Sequence, residues 1–212
     1  MLEVARTKDL DHVLAESAGA NPELAPVAAV VSEIAAAAID MAELISLGRL
    51  AGEAGAAAGT LNHDGDAQKN LDVLANDLFV NALSRAPVAA VLSEELEEPL
   101  LLNADAPLAV AIDPLDGSSN IDTNVSIGTI FSILPSIPDA ADPKAHFLQP
   151  GSAQLAAGFL IYGPQTALVL ALAGKTRIFI LDRRKGRFLE VIEDVRIPME
   201  SSEYSINASN YR

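Results

Sequence analysis

The order of the hydrophobic patterns predicts a layered α/β (α+β) domain, in which N-terminal helices pack on a mixed, largely antiparallel sheet of about six strands. Three observations carry this. An Ala-rich stretch with helical periodicity leads the chain, a second helical pattern follows it, and from Val88 onward the apolar residues come in short, strand-length runs. Half of the 212 residues are hydrophobic, enough to bury the core of one large domain.

Residues 26–58 carry apolar positions at Ile34, Ile39, Met41, Leu44, Ile45 and Leu47 among Glu33, Asp40 and Glu43. That spacing predicts one long amphipathic helix or two abutting ones, ended by Gly52, Gly55 and Gly59. Leu71, Leu74 and Leu78 recur at helical spacing in a second helix over 68–83, with Asp66 upstream as its start signal. The strand-length runs are Val88 to Leu92, Leu108 to Ile112, Ile127 to Leu134, Leu155 to Tyr162, Ala167 to Ala171 and Arg177 to Leu181. Gly163-Pro164 and Gly174-Lys175 mark turns between the later strands, and the Pro- and Asp-rich stretch 135–151 reads as an exposed loop. No linker divides the chain into comparable halves. One main domain is expected over 1–197, with 198–212 a linker and the start of a truncated second domain, since Arg196 to Arg212 leaves the strand pattern and stops abruptly.

The formal net charge is −15, from 29 acidic and 14 basic residues, a field that repels phosphate backbones and anionic lipid. Neither nucleic acid nor membrane is an expected partner. The absence of cysteine excludes disulfide scaffolds, thiolate zinc sites and thiol nucleophiles. Residues 1–16 contain no uninterrupted apolar segment of signal-peptide type, and the later apolar runs are broken by charges before membrane length, so a cytoplasmic protein is expected.

The strongest local signal is Asp113-Pro114-Leu115-Asp116-Gly117-Ser118-Ser119-Asn120, directly after an apolar run. A strand is expected to end there in a charged turn. Two acids three residues apart, stiffened by Pro and released by Gly, can aim both carboxylates and the Leu115 carbonyl at one hard cation. Oxygen ligands suit magnesium, or manganese, better than zinc. The N–H groups of Ser118, Ser119 and Asn120 could then face phosphate oxygens if a helix begins there. An ordinary Asp-Gly turn with Ser and Asn caps is the plainer reading of the same residues.

Ser93-Glu94-Glu95 also follows an apolar run, so two adjacent strands would deliver acids at one edge of the sheet. Adjacent glutamates more often lie on a solvated surface, the reading given to Glu97 and Glu98. Asp66 suits a loop, as cap or ligand. Asp72 lies near the start of a half-buried helix, where a carboxylate must be paired, bonded, near metal, or turned to water. Together Asp66, Asp72, Glu94, Glu95, Asp113 and Asp116 would repel one another unless cations intervened. Metal-assisted hydrolysis of a phosphate monoester is the reaction such a set fits. His12, His63 and His146 are far apart in sequence and read as surface or packing residues.

At these residues the sequence resembles the class I fructose-1,6-bisphosphatase family. The resemblance rests on Gly65-Asp66 with Leu71-Asp72-Val73-Leu74-Ala75-Asn76, on Ser93-Glu94-Glu95, on Asp113 to Asp122 continuing through Val125-Ser126-Ile127-Gly128-Thr129-Ile130-Phe131, and on Tyr204-Ser205-Ile206-Asn207. The shorter Asp-Pro-x-Asp-Gly core is shared with the wider inositol-phosphatase superfamily, and Ser-Ser-Asn in place of Thr-Thr-Asn favours the bisphosphatase branch.

The resemblance implies magnesium held by Glu94, Glu95, Asp113, the Leu115 carbonyl and Asp116. It implies Asp72 and Glu95 as the groups that help activate water, supported by Asp66. Asp116, Gly117, Ser118 and Ser119 would contact the scissile phosphate, and Asn207 would begin the site for the second one. The implied reaction is hydrolysis of the 1-phosphate of fructose 1,6-bisphosphate, as in gluconeogenesis or the Calvin cycle, by a homodimer or homotetramer. A sedoheptulose-1,7-bisphosphatase or dual-specificity enzyme is the alternative within the class. A catalytically silent metal-binding or oligomerisation module is the alternative outside it.

The family continues through a second domain that supplies a further metal-ligating Glu and substrate-binding Lys and Tyr residues. This chain is therefore expected to turn over poorly by itself. The stretches that hold the family's inhibitory AMP site read Asp105-Ala106-Pro107-Leu108 and Ser132-Ile133-Leu134-Pro135 here, without a cation for phosphate, so AMP regulation is not expected.

Overall fold

The computed structural model describes residues 8–47 and 67–202, without the side chains of 67–70 and 122. Asp66 and Asn207, together with Gly52, Gly55, Gly59 and His63, lie outside the described residues.

The first helix among the described residues, α1 (Leu10–Ala20), was not expected from the hydrophobic pattern. Its signals are present: Asp9 caps it by accepting the His12 N–H at 2.9 Å, and Leu10, Val13 and Leu14 fall on one buried face. The short span hid it among the charges of the N-terminus. A 3₁₀ turn, Pro22–Leu24, leads into α2 (Ala25–Leu47), and α3 spans Ala67–Leu83. By length and composition the stretch 22–47 is apolar enough to cross a membrane, against the expectation that charges would interrupt it. Val27, Val30, Val31, Ile34, Ala38 and Met41 are instead buried in the common core.

Among the described residues, eight strands form one sheet. They are β1 (Val88–Ser93), β2 (Leu100–Leu101), β3 (Leu108–Asp116), β4 (Ile127–Pro135), β5 (Ala156–Tyr162), β6 (Thr166–Leu172), β7 (Lys175–Asp182) and β8 (Arg187–Ile192), in the order β2-β1-β3-β4-β5-β6-β7-β8. All six expected strands are present; the additions are the two-residue edge strand β2 and β8, whose mixed polar pattern gave no apolar run. Only β1 and β3 pair in parallel, and every other neighbouring pair is antiparallel. The β6–β7 hairpin turns on Ala173 and Gly174, both with positive φ (52° and 74°), the primed geometry that matches strand twist.

The helices bury one face of this sheet. Val110, Ile112, Phe131, Ile133, Leu160, Leu168, Leu170 and Phe179 join Val30, Ile34, Met41, Phe79 and Leu83 in a single core. The alternate residues of the same strands face the other way and stay partly open, with Ile130, Phe159 and Ile161 at 47%, 41% and 39% exposure. The stretch 135–151 is mostly exposed, as expected, and is pinned to itself and to the end of β4 at His146 and Gln149. His146 is buried and its Nδ1 accepts the Ile137 N–H at 3.0 Å, while Gln149 Nε2 donates to the Pro135 and His146 carbonyls.

Candidate active site

Parallel pairing brings the acids together. Because β1 and β3 run the same way, Ser93 lies beside Ile112, and the Glu94 N–H continues the ladder by donating to the Ile112 carbonyl at 3.0 Å. Glu94-Glu95, which follow β1, and Asp113, which comes after Ile112 within β3, therefore emerge at one end of the sheet. The first turns of α3 reach the same place. Asp72 bonds to the Ser118 side chain, and its charge is felt by Glu95 and Asp113.

The Asp-Pro-Leu-Asp segment departs from the sequence reading. It is not a turn beyond the strand: β3 continues through Asp116, with a bulge between Asp113 and Asp116. Asp113 stands opposite Ile130 and Asp116 opposite Gly128, so two residues of β3, Pro114 and Leu115, stand against one of β4, Thr129. In a regular strand, residues three apart point to opposite faces. The extra residue resets the alternation, and both aspartates share the face away from the helices. The bulge also tucks Pro114 and Leu115 inward, where both are buried.

Within the bulge, Asp113 accepts the Leu115 N–H at 3.1 Å. After it, Gly117 takes a left-handed φ of 78° and opens a 3₁₀ turn, Ser118–Thr123. The Asn120 N–H donates to the Gly117 carbonyl at 2.8 Å, so it is not free to meet phosphate, contrary to the expectation.

Three of the carboxyl groups are raised above their ordinary range. Burial is the leading cause for Asp72, Glu95 and Asp113 alike. The Ser118 bond offsets part of it at Asp72 and the Leu115 N–H part of it at Asp113, while Glu94 adds repulsion at all three and Asp116 adds it at Asp113. Asp72 Oδ1 is buried without a hydrogen-bond partner. Among the described residues no three of these acids form a finished cation cage. An all-oxygen donor set with an orphaned buried carboxylate oxygen suits a hard divalent cation.

Three contacts at this end of the sheet carry no signal in the motif reading. Ser93, 2% exposed, donates to Asn76 Oδ1 at 2.8 Å and ties β1 to α3. Thr129, fully buried, donates to the Pro114 carbonyl at 2.8 Å and lies 2.8 Å from the Tyr162 hydroxyl. A polar residue inside the apolar run Ile127 to Leu134 was the available clue.

A family model described as "Fructose-1-6-bisphosphatase, N-terminal domain" matches residues 11–193. Among similar chains, a class 1 fructose-1,6-bisphosphatase of Methylobacterium radiotolerans is 52% identical over 203 residues, covering 96% of this chain and 58% of its own length. One of Rhizobium meliloti is 56% identical over 188 residues, covering 88% and 54%. The crystal structure of Leishmania major fructose-1,6-bisphosphatase in its holo form is 27% identical with a TM-score of 0.80, over 98% of this chain and 65% of that one; its apo form gives 26% and 0.79, over 97% and 63%. The chain thus spans a little over half the length of these relatives.

Proposed function

We propose a function on one premise: this chain belongs to the fructose-1,6-bisphosphatase family, and we read it as the metal-binding part of an enzyme that hydrolyses the 1-phosphate of fructose 1,6-bisphosphate. The observation that supports this most directly is the meeting of Asp72, Glu94, Glu95, Asp113 and Asp116 at one end of the β1–β3 pair, with Asp72 Oδ1 left unpartnered in the interior.

Glu94, Glu95, Asp113, the Leu115 carbonyl and Asp116 are the proposed ligands of magnesium, with manganese the substitute. When bound, such cations supply charge neutralisation at the phosphoryl oxygens and a more acidic water. Asp72 and Glu95 are assigned to the water: Asp72 has an open acceptor oxygen, and both sit beside the other acids. Asp116, Gly117, Ser118 and Ser119 are assigned to the scissile phosphate. Asp66 and Asn207 keep the roles the resemblance implies, as support for the water network and as the start of the second phosphate site.

The domain reading is kept as well: 1–197 as the metal-binding domain and 198–212 as the passage to a second one. The open sheet face supports it, since Leu92, Ala111, Ile130, Ala157, Phe159 and Val169 line a depression of about 790 Å³ that also borders Glu94 and Asp113. A partner domain there would cover apolar surface and complete the site in one step. We further assign a cytoplasmic homo-oligomer.

The test is release of inorganic phosphate from fructose 1,6-bisphosphate with magnesium, comparing this chain, Asp116→Asn and a chain extended to the length of the relatives. Activity confined to the extended chain and lost with Asp116→Asn is the expected result. A preference for sedoheptulose 1,7-bisphosphate would move the assignment to that alternative, and magnesium binding without turnover in every form would leave a silent metal-binding module.

A further inference from the structure

Inside the bulge that turns Asp113 and Asp116 to one face, Pro114 has no N–H to give to the ladder. Thr129, the β4 residue between the partners of the two aspartates, reaches the Pro114 carbonyl with its side chain, donating at 2.8 Å. Its single hydroxyl proton is thereby committed, because a carbonyl can only accept. The 2.8 Å contact with Tyr162 must then be a bond from the Tyr162 hydroxyl to Thr129 Oγ1. Thr129 and Tyr162 are 0% and 5% exposed, and their neighbours on the helix-covered face include Ile127, Phe131 and Leu160. A hydroxyl in such surroundings is retained only when fully bonded, and valine would be the ordinary strand residue there.

From this geometry we infer that Thr129 and Tyr162 are a positioning pair: Tyr162 fixes the direction of the Thr129 proton, Thr129 holds the Pro114 carbonyl inward, and the bulge so held presents Asp113 and Asp116 on the same face. Neither residue belongs to the set assigned to the cation or the phosphate. The pair acts from the opposite side of the sheet, through the backbone of β3. Release of Pro114 would let the segment slide toward regular alternation, which separates the two carboxylates onto different faces. The inference rests on the reading of those carboxylates as cation ligands.

Three variants test it: Thr129→Val, which keeps shape and loses the proton, Thr129→Ser, which keeps the proton, and Tyr162→Phe. Manganese affinity is read by electron paramagnetic resonance. Exchange of the Leu115 amide, the donor to Asp113 Oδ1 inside the bulge, is read on the metal-free chain. Thr129→Val is expected to weaken manganese binding about tenfold or more and to speed Leu115 exchange about tenfold, with Thr129→Ser close to the unsubstituted chain and Tyr162→Phe between them.

A folded Thr129→Val with unchanged affinity and unchanged exchange overturns the inference. So does an equal loss in Thr129→Val and Thr129→Ser, which would mark packing as the cause. Should Thr129→Val not fold, Tyr162→Phe decides by the same two readouts. An unsubstituted chain that takes no manganese would sink the ligand assignment, while the exchange comparison would still judge the pair.

Discussion

Ser93 and Asn76 form a bond between α3 and the last residue of β1: the Ser93 hydroxyl donates to Asn76 Oδ1 at 2.8 Å. The same oxygen of Ser93 accepts the Glu95 N–H at 3.3 Å. One small side chain thus fixes how the helix that carries Asp72 meets the strand that delivers Glu94 and Glu95. Ser93→Ala would leave the Asn76 oxygen without this donor and the Glu95 amide without this acceptor. A loss of about 1–3 kcal/mol in urea unfolding is expected. Ser93→Thr, which keeps the hydroxyl, should recover part of it, and an Ala variant as stable as the parent would show that the bond holds nothing.

Asp113 supplies a pH test. Its pKa in the folded chain is raised from the ordinary 3.8, as is that of Asp72, while that of Glu95 is raised from 4.5. The native state therefore binds more protons than the unfolded one between the ordinary and the raised values, so these groups withdraw stability as pH rises through that window. Ion-paired Asp182 and Glu193 are shifted the other way, so a difference measurement is needed. Metal-free Asp113→Asn should melt higher than the parent near neutral pH, with the advantage fading toward about pH 4. Magnesium should reverse the ranking, because a bound cation favours the ionised carboxylate. A parent that melts higher than Asp113→Asn at neutral pH without metal would refute the cost of burying that charge beside other acids.

Gly128 faces Asp116 across the β3–β4 ladder, and a Cβ built there would lie 2.6 Å from the Leu160 backbone carbonyl. Backbone on the next strand cannot yield as a flexible side chain can. Gly128→Ala is expected to cost about 1–3 kcal/mol, and it should weaken manganese binding by displacing β4 under the aspartates. Gly19, near the end of α1, has nothing within 4 Å of the same added atom. Gly19→Ala should raise stability by up to about 1 kcal/mol through helix propensity alone. Thermal melts of the two variants should move in opposite directions.

Phe159 and Leu160 are neighbours in β5 on opposite faces, 41% and 1% exposed. Leu160→Ala should cost about 2–5 kcal/mol by opening a cavity in the shared core. Phe159→Ser should cost about 1 kcal/mol or less and should lower binding of an apolar dye to the open face. A chain extended to the length of its relatives is expected to lose that dye binding without substitution. Equal dye binding by the short and extended chains would count against a second domain on this face.

The helix and strand order was legible in the sequence because hydrophobic periodicity reports which side of each element meets the core. α3 and six of the eight strands follow from it within a few residues. α1 was missed because its apolar face has only Leu10, Val13 and Leu14 among charges, and β8 because Phe188 is its only buried residue. The acids were legible as residue types that need a cation or a partner, and their positions after apolar runs pointed to strand ends.

What the chain itself determined was the list of acids and the strands that carry them. Their meeting was decided by the parallel pairing of β1 with β3, a long-range choice that local patterns do not encode. The bulge at Asp113–Asp116 was likewise a tertiary decision. Its spacing reads as a turn in sequence, and only the register against Ile130 and Gly128, with Thr129 bonded to Pro114, keeps it in the sheet. Periodicity records the burial of each residue, while register records which backbone groups find partners across strands. That second account closes only when the whole sheet is assembled.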